Sequence, residues 1–211
     1  MYQTTKALTA LEQSKLTPEV VIEELSKGNC DFVENILSLK YNSERLRTTC
    51  KGQYPKAVIL ACLDSRVLVE DIFQCGIGDI FVIRIAGNIV NSDILGSMEF
   101  ACKLSGAKLV VVLGHSCCGA IMAAIDDYNF ENLTGLLNKI KPAVVMASEN
   151  FSGELNSSNK YFVENVCRKN VELAVAEIRN KSRTLKQMEG LGEIKIVGAI
   201  YNIENGKVEF L

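Results

Sequence analysis

Tryptophan is absent from this chain of 211 residues, and histidine occurs once, as His115. A single imidazole excludes a metal site built from two or three histidines. It also excludes a histidine ligand working beside a separate histidine base. Positive charge is not in excess: 23 Lys and Arg stand against 25 Asp and Glu, a formal net charge of -2. Nucleic-acid binding needs a basic face, so no nucleic-acid partner is expected. Long apolar runs are missing as well. The best candidate, residues 109–125, falls short of the roughly 20 residues of a membrane span, is broken by Gly114, His115 and Ser116, and runs into Asp126 and Asp127. No membrane association is expected. The first residues lack a basic start followed by an apolar core, so no secretory signal is expected and a cytoplasmic location is.

What the chain does have is a 48% hydrophobic composition and eight cysteines. The first supports one full-sized core. The second is too sparse for a disulfide framework in a chain this long, and no C-x-x-C pair offers a thioredoxin-type redox motif. Thr17 and Pro18 form an N-cap and first-turn proline. Val20, Val21, Leu25, Phe32, Val33, Ile36, Leu37 and Leu39 then recur at roughly helical spacing, with Gly28-Asn29 read as an interruption. Residues 1–50 are therefore expected to form an N-terminal arm of two or three short helices, followed by one α/β domain over 51–211.

Within that domain, the β-branched runs 58–63, 80–85 and 109–113 are nearly uninterrupted and are separated by helical stretches such as 93–104. This is the pattern of parallel strands covered by helices on both faces. Gly76-Ile77-Gly78 is too short for a phosphate-binding glycine loop and reads as the turn into the second run. A long helical region is expected over 132–189, a fourth strand over 194–200, and an edge strand at Val208-Glu209-Phe210.

Ligands of open parallel sheets bind beyond the carboxyl ends of the strands. The first run ends in Cys62-Leu63-Asp64-Ser65-Arg66 and the third in Gly114-His115-Ser116-Cys117-Cys118-Gly119. Taken singly, Cys62 and Cys118 read as core thiols and His115 as a hydrogen-bonded buried imidazole. Taken together on neighbouring strands, with Asp64 and Arg66 alongside, two thiolates and one imidazole are a suitable set for Zn2+, with a fourth position left for water. The Cys62 to Arg66 spacing is too short for a phosphatase loop. Cys117 reads as a packed neighbour, and Cys30, Cys50, Cys75, Cys102 and Cys167 as core or semi-exposed thiols.

Cys62-Leu63-Asp64-Ser65-Arg66 followed by His115-Ser116-Cys117-Cys118-Gly119 resembles the C-x-D-S-R and H-x-x-C-G signatures of the β-class carbonic anhydrases. Similar family segments are Leu25 to Asn29 with Phe32, Gly78 to Val82 with Arg84 to Asn88, Gly96 to Ala101, Glu164 to Val166, and Gly198 to Tyr201 with Gly206. The resemblance implies a parallel four-stranded sheet with an added edge strand. It also implies a homodimer or tetramer in which the N-terminal helices embrace a partner and the cleft lies at the subunit interface. One zinc per chain would be held by Cys62, His115 and Cys118, with Asp64 as a further metal ligand only in a closed state. Asp64 and Arg66 would form the catalytic dyad, Gln53 would bind bicarbonate, and the reaction would be the reversible hydration of CO2.

Zinc lowers the pKa of water from 15.7 to about 7. Two thiolates weaken that pull, so neutral or mildly alkaline pH is expected for activity. Family members with a bicarbonate-stabilised closed form carry Trp three residues before the first cysteine ligand; here that residue is Ile59, which implies an intact Asp64–Arg66 pair. With one histidine already assigned to the metal, no second imidazole can shuttle protons. Hydrolysis of COS or CS2 on the same scaffold, and a non-catalytic zinc or thiol protein, are the competing readings. Asp64, Arg66 and Gln53 count against the latter, because a structural metal site does not need them.

Overall fold

Five short runs of β-branched and small residues build the sheet in the computed structural model, which describes residues 6–36 and 42–211. They are β1 (Ala57–Ala61), β2 (Ile80–Arg84), β3 (Leu109–His115), β4 (Lys195–Tyr201) and β5 (Val208–Phe210). Their order is β2-β1-β3-β4-β5, the first four parallel and β5 antiparallel to β4. The sheet with its added edge strand is thus the architecture expected from the sequence. Leu37 and Leu39 lie outside the described residues.

The central strands read as unbroken apolar runs because both of their faces are covered. On one face Val58, Leu60, Val110, Val112 and Ile196 pack against α5 (Ser92–Glu99), α9 (Lys160–Lys181) and α10 (Arg183–Gly190). On the other, Ala57, Ile59, Ala61, Leu109, Val111 and Leu113 meet α2 (Pro18–Val33) and α4 (Val69–Ile72). A third cluster, at the carboxyl end of the strands, joins α6 (Gly119–Ile125), α7 (Glu131–Leu137) and α8 (Lys141–Ser148) to the first turns of α9. The remaining helices are α1 (Ala10–Ser14) and α3 (Asn42–Thr49). Among the described residues no helix is long and apolar enough to cross a membrane.

The structure corrects three of the sequence expectations. Gly28-Asn29 does not interrupt α2, which runs through it. Gly28 lets the helix touch the backbone of Phe73, where a Cβ would fall 2.1 Å from the carbonyl oxygen. Asn29 is a tie: its Nδ2 donates to the carbonyls of Ile72 and Gly206, and its Oδ1 accepts from the Val208 N–H at 2.8 Å. The helical region expected over 132–189 is divided, with a loop between α8 and α9. There short polar side chains bond to backbone instead: Asn156 Oδ1 accepts from Ser158 N–H, Asn159 Nδ2 donates to the Glu154 carbonyl, and Asn159 Oδ1 caps α9. Finally, β3 continues two residues past Leu113, because Gly114 and His115 still pair with Ile200 and Tyr201.

The close contact at Gly28 makes a test. Gly28→Ala should lower the free energy of unfolding by roughly 1–3 kcal/mol through overpacking. Gly135→Ala, in α7 where nothing lies within 4 Å, should raise it by about 0.5–1 kcal/mol. Urea titration of both variants measures the contrast, and equal effects would remove the packing account of Gly28.

Candidate metal centre

β1 and β3 are hydrogen-bonded neighbours with Ala61 opposite Leu113, so the loops leaving their carboxyl ends start side by side. Cys62 is the first residue after β1, His115 the last of β3, and Cys118 the N-cap of α6. Their candidate ligand atoms all lie within 4.8 Å of one another, and all three residues are buried. The Sγ atoms of Cys62 and Cys118 are 3.9 Å apart. Two sulfurs bound at about 2.3 Å to a tetrahedral zinc stand about 3.8 Å apart, so the spacing suits the ion.

His115 supplies a second sign of fit. Its Nδ1 lies 2.9 Å from the Ser116 carbonyl, which can only accept, so Nδ1 carries the proton and Nε2 presents a lone pair. That Nε2 is buried and has no hydrogen-bond partner among the described residues. A buried acceptor without a partner is costly, and a metal ion would satisfy it. The contact between the two sulfurs pulls the Cys62 thiol below the ordinary thiol range and pushes that of Cys118 above it. The donor set, two sulfurs and one nitrogen, therefore fits zinc.

Asp64 and Arg66 stand beside this cluster at the surface of the single chain. Arg66 Nε donates to Asp64 Oδ1 at 2.9 Å and Nη2 to Oδ2 at 2.7 Å, a bidentate pair, while the Arg66 backbone N–H also donates to Oδ1. Chiefly through the side-chain bonds from Arg66, the Asp64 carboxyl is held down at about 2. Thus engaged, Asp64 is not one of the three converging ligands. Arg66 Nη2 also reaches the Cys117 carbonyl at 3.3 Å. Cys117 itself is half-buried, with a left-handed backbone at φ +55°, and stays out of the ligand cluster.

Gln53 is exposed and precedes the amino end of β1, whereas Cys62 follows its carboxyl end. A strand advances about 3.3 Å per residue, so the two flank opposite ends of β1. The chain does not bring Gln53 to its own metal cluster.

Sequence reasoning passed over several groups that hold the ligands in place. Arg84, at the end of β2, donates through Nε to the Cys62 carbonyl at 3.2 Å and through Nη2 to the Asp64 carbonyl at 2.6 Å. The Gly87 N–H donates to Cys62 Sγ at 3.4 Å. Cys167, read from the sequence as one core thiol among several, donates from Sγ to the His115 carbonyl at 3.2 Å. Burial pushes that thiol up to about 12, so it keeps its proton and serves as a donor. Only strand adjacency and the return of α9 beneath β3 reveal these contacts; no spacing in the sequence encodes them.

Three kinds of comparison bear on this arrangement. A family model described as carbonic anhydrase matches residues 57–208. Carbonic anhydrase 2 of Mycobacterium tuberculosis is 35% identical over 161 residues, covering 74% of this chain and 74% of that protein. The carbonic anhydrase of Mycolicibacterium smegmatis is 30% identical over 198 residues, covering 91% and 92%. A structure described among the tetrameric β-carbonic anhydrases of Sordaria macrospora superposes with a TM-score of 0.71 at 24% identity, covering 92% of this chain and 97% of that one. Sequence, sheet order and fold agree: the chain belongs to the β-class carbonic anhydrase family, whose members catalyse the reversible hydration of CO2.

Proposed function

We propose that this chain hydrates CO2 at one zinc ion held by Cys62 Sγ, Cys118 Sγ and His115 Nε2. The observation that carries the assignment is the buried Nε2 lone pair facing two sulfurs at tetrahedral spacing. Bound there, zinc would supply the Lewis acidity that makes water a nucleophile near neutral pH.

The chain's own groups do the rest. Asp64, ionised and held in place by Arg66, is an acceptor only, so it can take a hydrogen bond from the attacking water and aim the opposite lone pair at the carbon of CO2. Arg66 fixes the rotamer of that carboxylate. Breaking the pair would free Asp64 to turn toward the metal, the closed arrangement. Ile59, fully buried within the sheet where closed-form members have Trp, favours the intact pair.

Gln53 binds bicarbonate in this reading only from a second copy, because it precedes the amino end of β1 whereas Cys62 follows its carboxyl end. The unit is thus a dimer or a tetramer, with the N-terminal helices of residues 1–50 embracing the partner. Eight cysteines, too sparse for a disulfide framework, suit a reducing cytoplasm.

Metal analysis of the purified protein should give one zinc per chain, and Cys118→Ser should lose it. Asp64→Asn should retain zinc while CO2 hydration in stopped flow falls on the order of 10²-fold. Full zinc without activity at pH 7 to 9 would refute the catalytic assignment.

Arg66→Ala separates orientation from ionisation. Without Arg66 the Asp64 carboxyl rises from about 2 toward its ordinary 3.8, still ionised throughout an assay at neutral pH. The pH–rate profile should therefore keep its shape and lose height. A new acidic limb above pH 5 would contradict this.

The sole imidazole is committed to the metal, so turnover should rise steeply with buffer concentration. A rate independent of buffer would mean that another side chain carries the proton out.

A further inference from the structure

Metal ligands carried on loops are only as fixed as the groups behind them, and those outer groups also set how strongly each ligand donates. One buried amide stands behind Cys62 at two removes. Asn170 is 4% exposed and lies on the buried face of α9, among Val163, Val166, Cys167, Val171 and Ala174. Its Nδ2 donates to the Gly87 carbonyl at 2.9 Å. The N–H of that same glycine donates to Cys62 Sγ. Gly87 sits in the short turn Ala86–Asn88 with φ +66°, and a Cβ there would come within 2.6 Å of Ile140 Cδ1. The turn is thereby gripped from both sides, by an amide on its carbonyl and by close packing on its α-carbon.

A polar side chain inside an apolar helix face is costly unless bonded, and a leucine would fill the same space without that cost. The amide does what leucine cannot: it holds the peptide on the carbonyl side of Gly87 and, through an α-carbon packed against Ile140, restricts the direction of the preceding peptide, which carries the N–H. That direction matters because two thiolates together neutralise a divalent ion and blunt its pull on water. An N–H aimed at sulfur draws part of that charge back, as hydrogen bonds to cluster sulfurs tune other metal centres.

We propose that Asn170 is a positioning residue of the metal centre, holding the Gly87 carbonyl and with it the Ala86–Asn88 turn, so that the Gly87 N–H stays on Cys62 Sγ and moderates that thiolate's donation. The inference rests on reading Cys62, His115 and Cys118 as the metal site. Its test separates the two.

Cobalt(II), loaded in place of zinc, reports thiolate donation through its sulfur-to-metal charge-transfer absorption. In Asn170→Leu, close in shape but without a donor, this band should move to longer wavelength and cobalt affinity should fall about 10-fold or more. Asn170→Gln, which keeps an amide, should return part of the band shift. Val175→Ala, a cavity one turn further along the same helix, should leave the band where it is. An unmoved band in Asn170→Leu, or an equal shift in Val175→Ala, overturns the proposal while leaving the metal site standing. A wild-type chain that takes up no cobalt overturns the metal reading and this inference with it.

Should Asn170→Leu not fold, the wild-type chain labelled with nitrogen-15 and loaded with cadmium-113 decides. A scalar coupling between the metal and the Gly87 amide proton is expected, reduced in Asn170→Ser. Its absence in the wild type, or an unchanged coupling in the variant, overturns the proposal.

Discussion

Val171, packed from α9 against two neighbouring strands at once, sets the distance on which the remainder of the molecule depends. A Cβ on Gly114 would meet one of its methyl groups at 2.6 Å, and a Cβ on Gly198 would meet the other at 2.6 Å. The two glycines are in neighbouring strands, β3 and β4, so a single valine draws α9 down onto both. That approach brings Cys167 under the His115 carbonyl and Asn170 under the turn at Gly87. The fold core and the metal cluster are therefore one packing problem. A larger residue at Gly114 would lift the helix and withdraw its donors from the ligand loops together.

The electrostatics divide by depth. Cys62, His115 and Cys118 are buried, where an uncompensated lone pair or thiolate is expensive and an ion is the natural remedy. The Asp64–Arg66 pair is shallower: the arginine side chain is 51% exposed in the single chain and the aspartate 15%. Exposed ion pairs contribute little to stability. The triple contact from Arg66 to one carboxylate is better understood as a restraint on rotamer than as a source of folding energy. A partner subunit closing over this mouth would remove water from the pair and strengthen it.

Much of this was visible in the residues. Uninterrupted β-branched runs located the parallel strands within a residue or two, and the rule that ligands collect at strand carboxyl ends singled out Cys62, Asp64, Arg66, His115 and Cys118 before any coordinates. The failures have two causes, long-range contact and local bonding of polar side chains to backbone. Gly28-Asn29 has the composition of a helix break, yet Phe73, Gly206 and Val208 turn it into a docking pair. The loop between α8 and α9 hides within apolar periodicity on both sides, because its Asn and Ser side chains bond locally in ways that spacing does not register. Arg84 and Cys167 donate to backbone carbonyls and Gly87 donates from its backbone N–H, and every residue possesses those backbone groups, so spacing does not reveal the pairings.

Asn29 has a further consequence, for the order of assembly. Its bonds to Gly206 and Val208 join residues separated by 177 and 179 positions, so they close nearly the entire chain into one loop. Contacts of such sequence separation are slow to form, since the loop must be ordered before they return any stabilisation. During synthesis α2 emerges well before Gly206 and Val208, so its amide finds their carbonyl and N–H only after the intervening residues have been made. Until then the apolar face of α2 has nothing to lock it to β5, and the incomplete chain exposes the surface on which aggregation starts. β5 thus acts as a clasp, and a ribosome that stalls short of it leaves α2 without one of its fastenings.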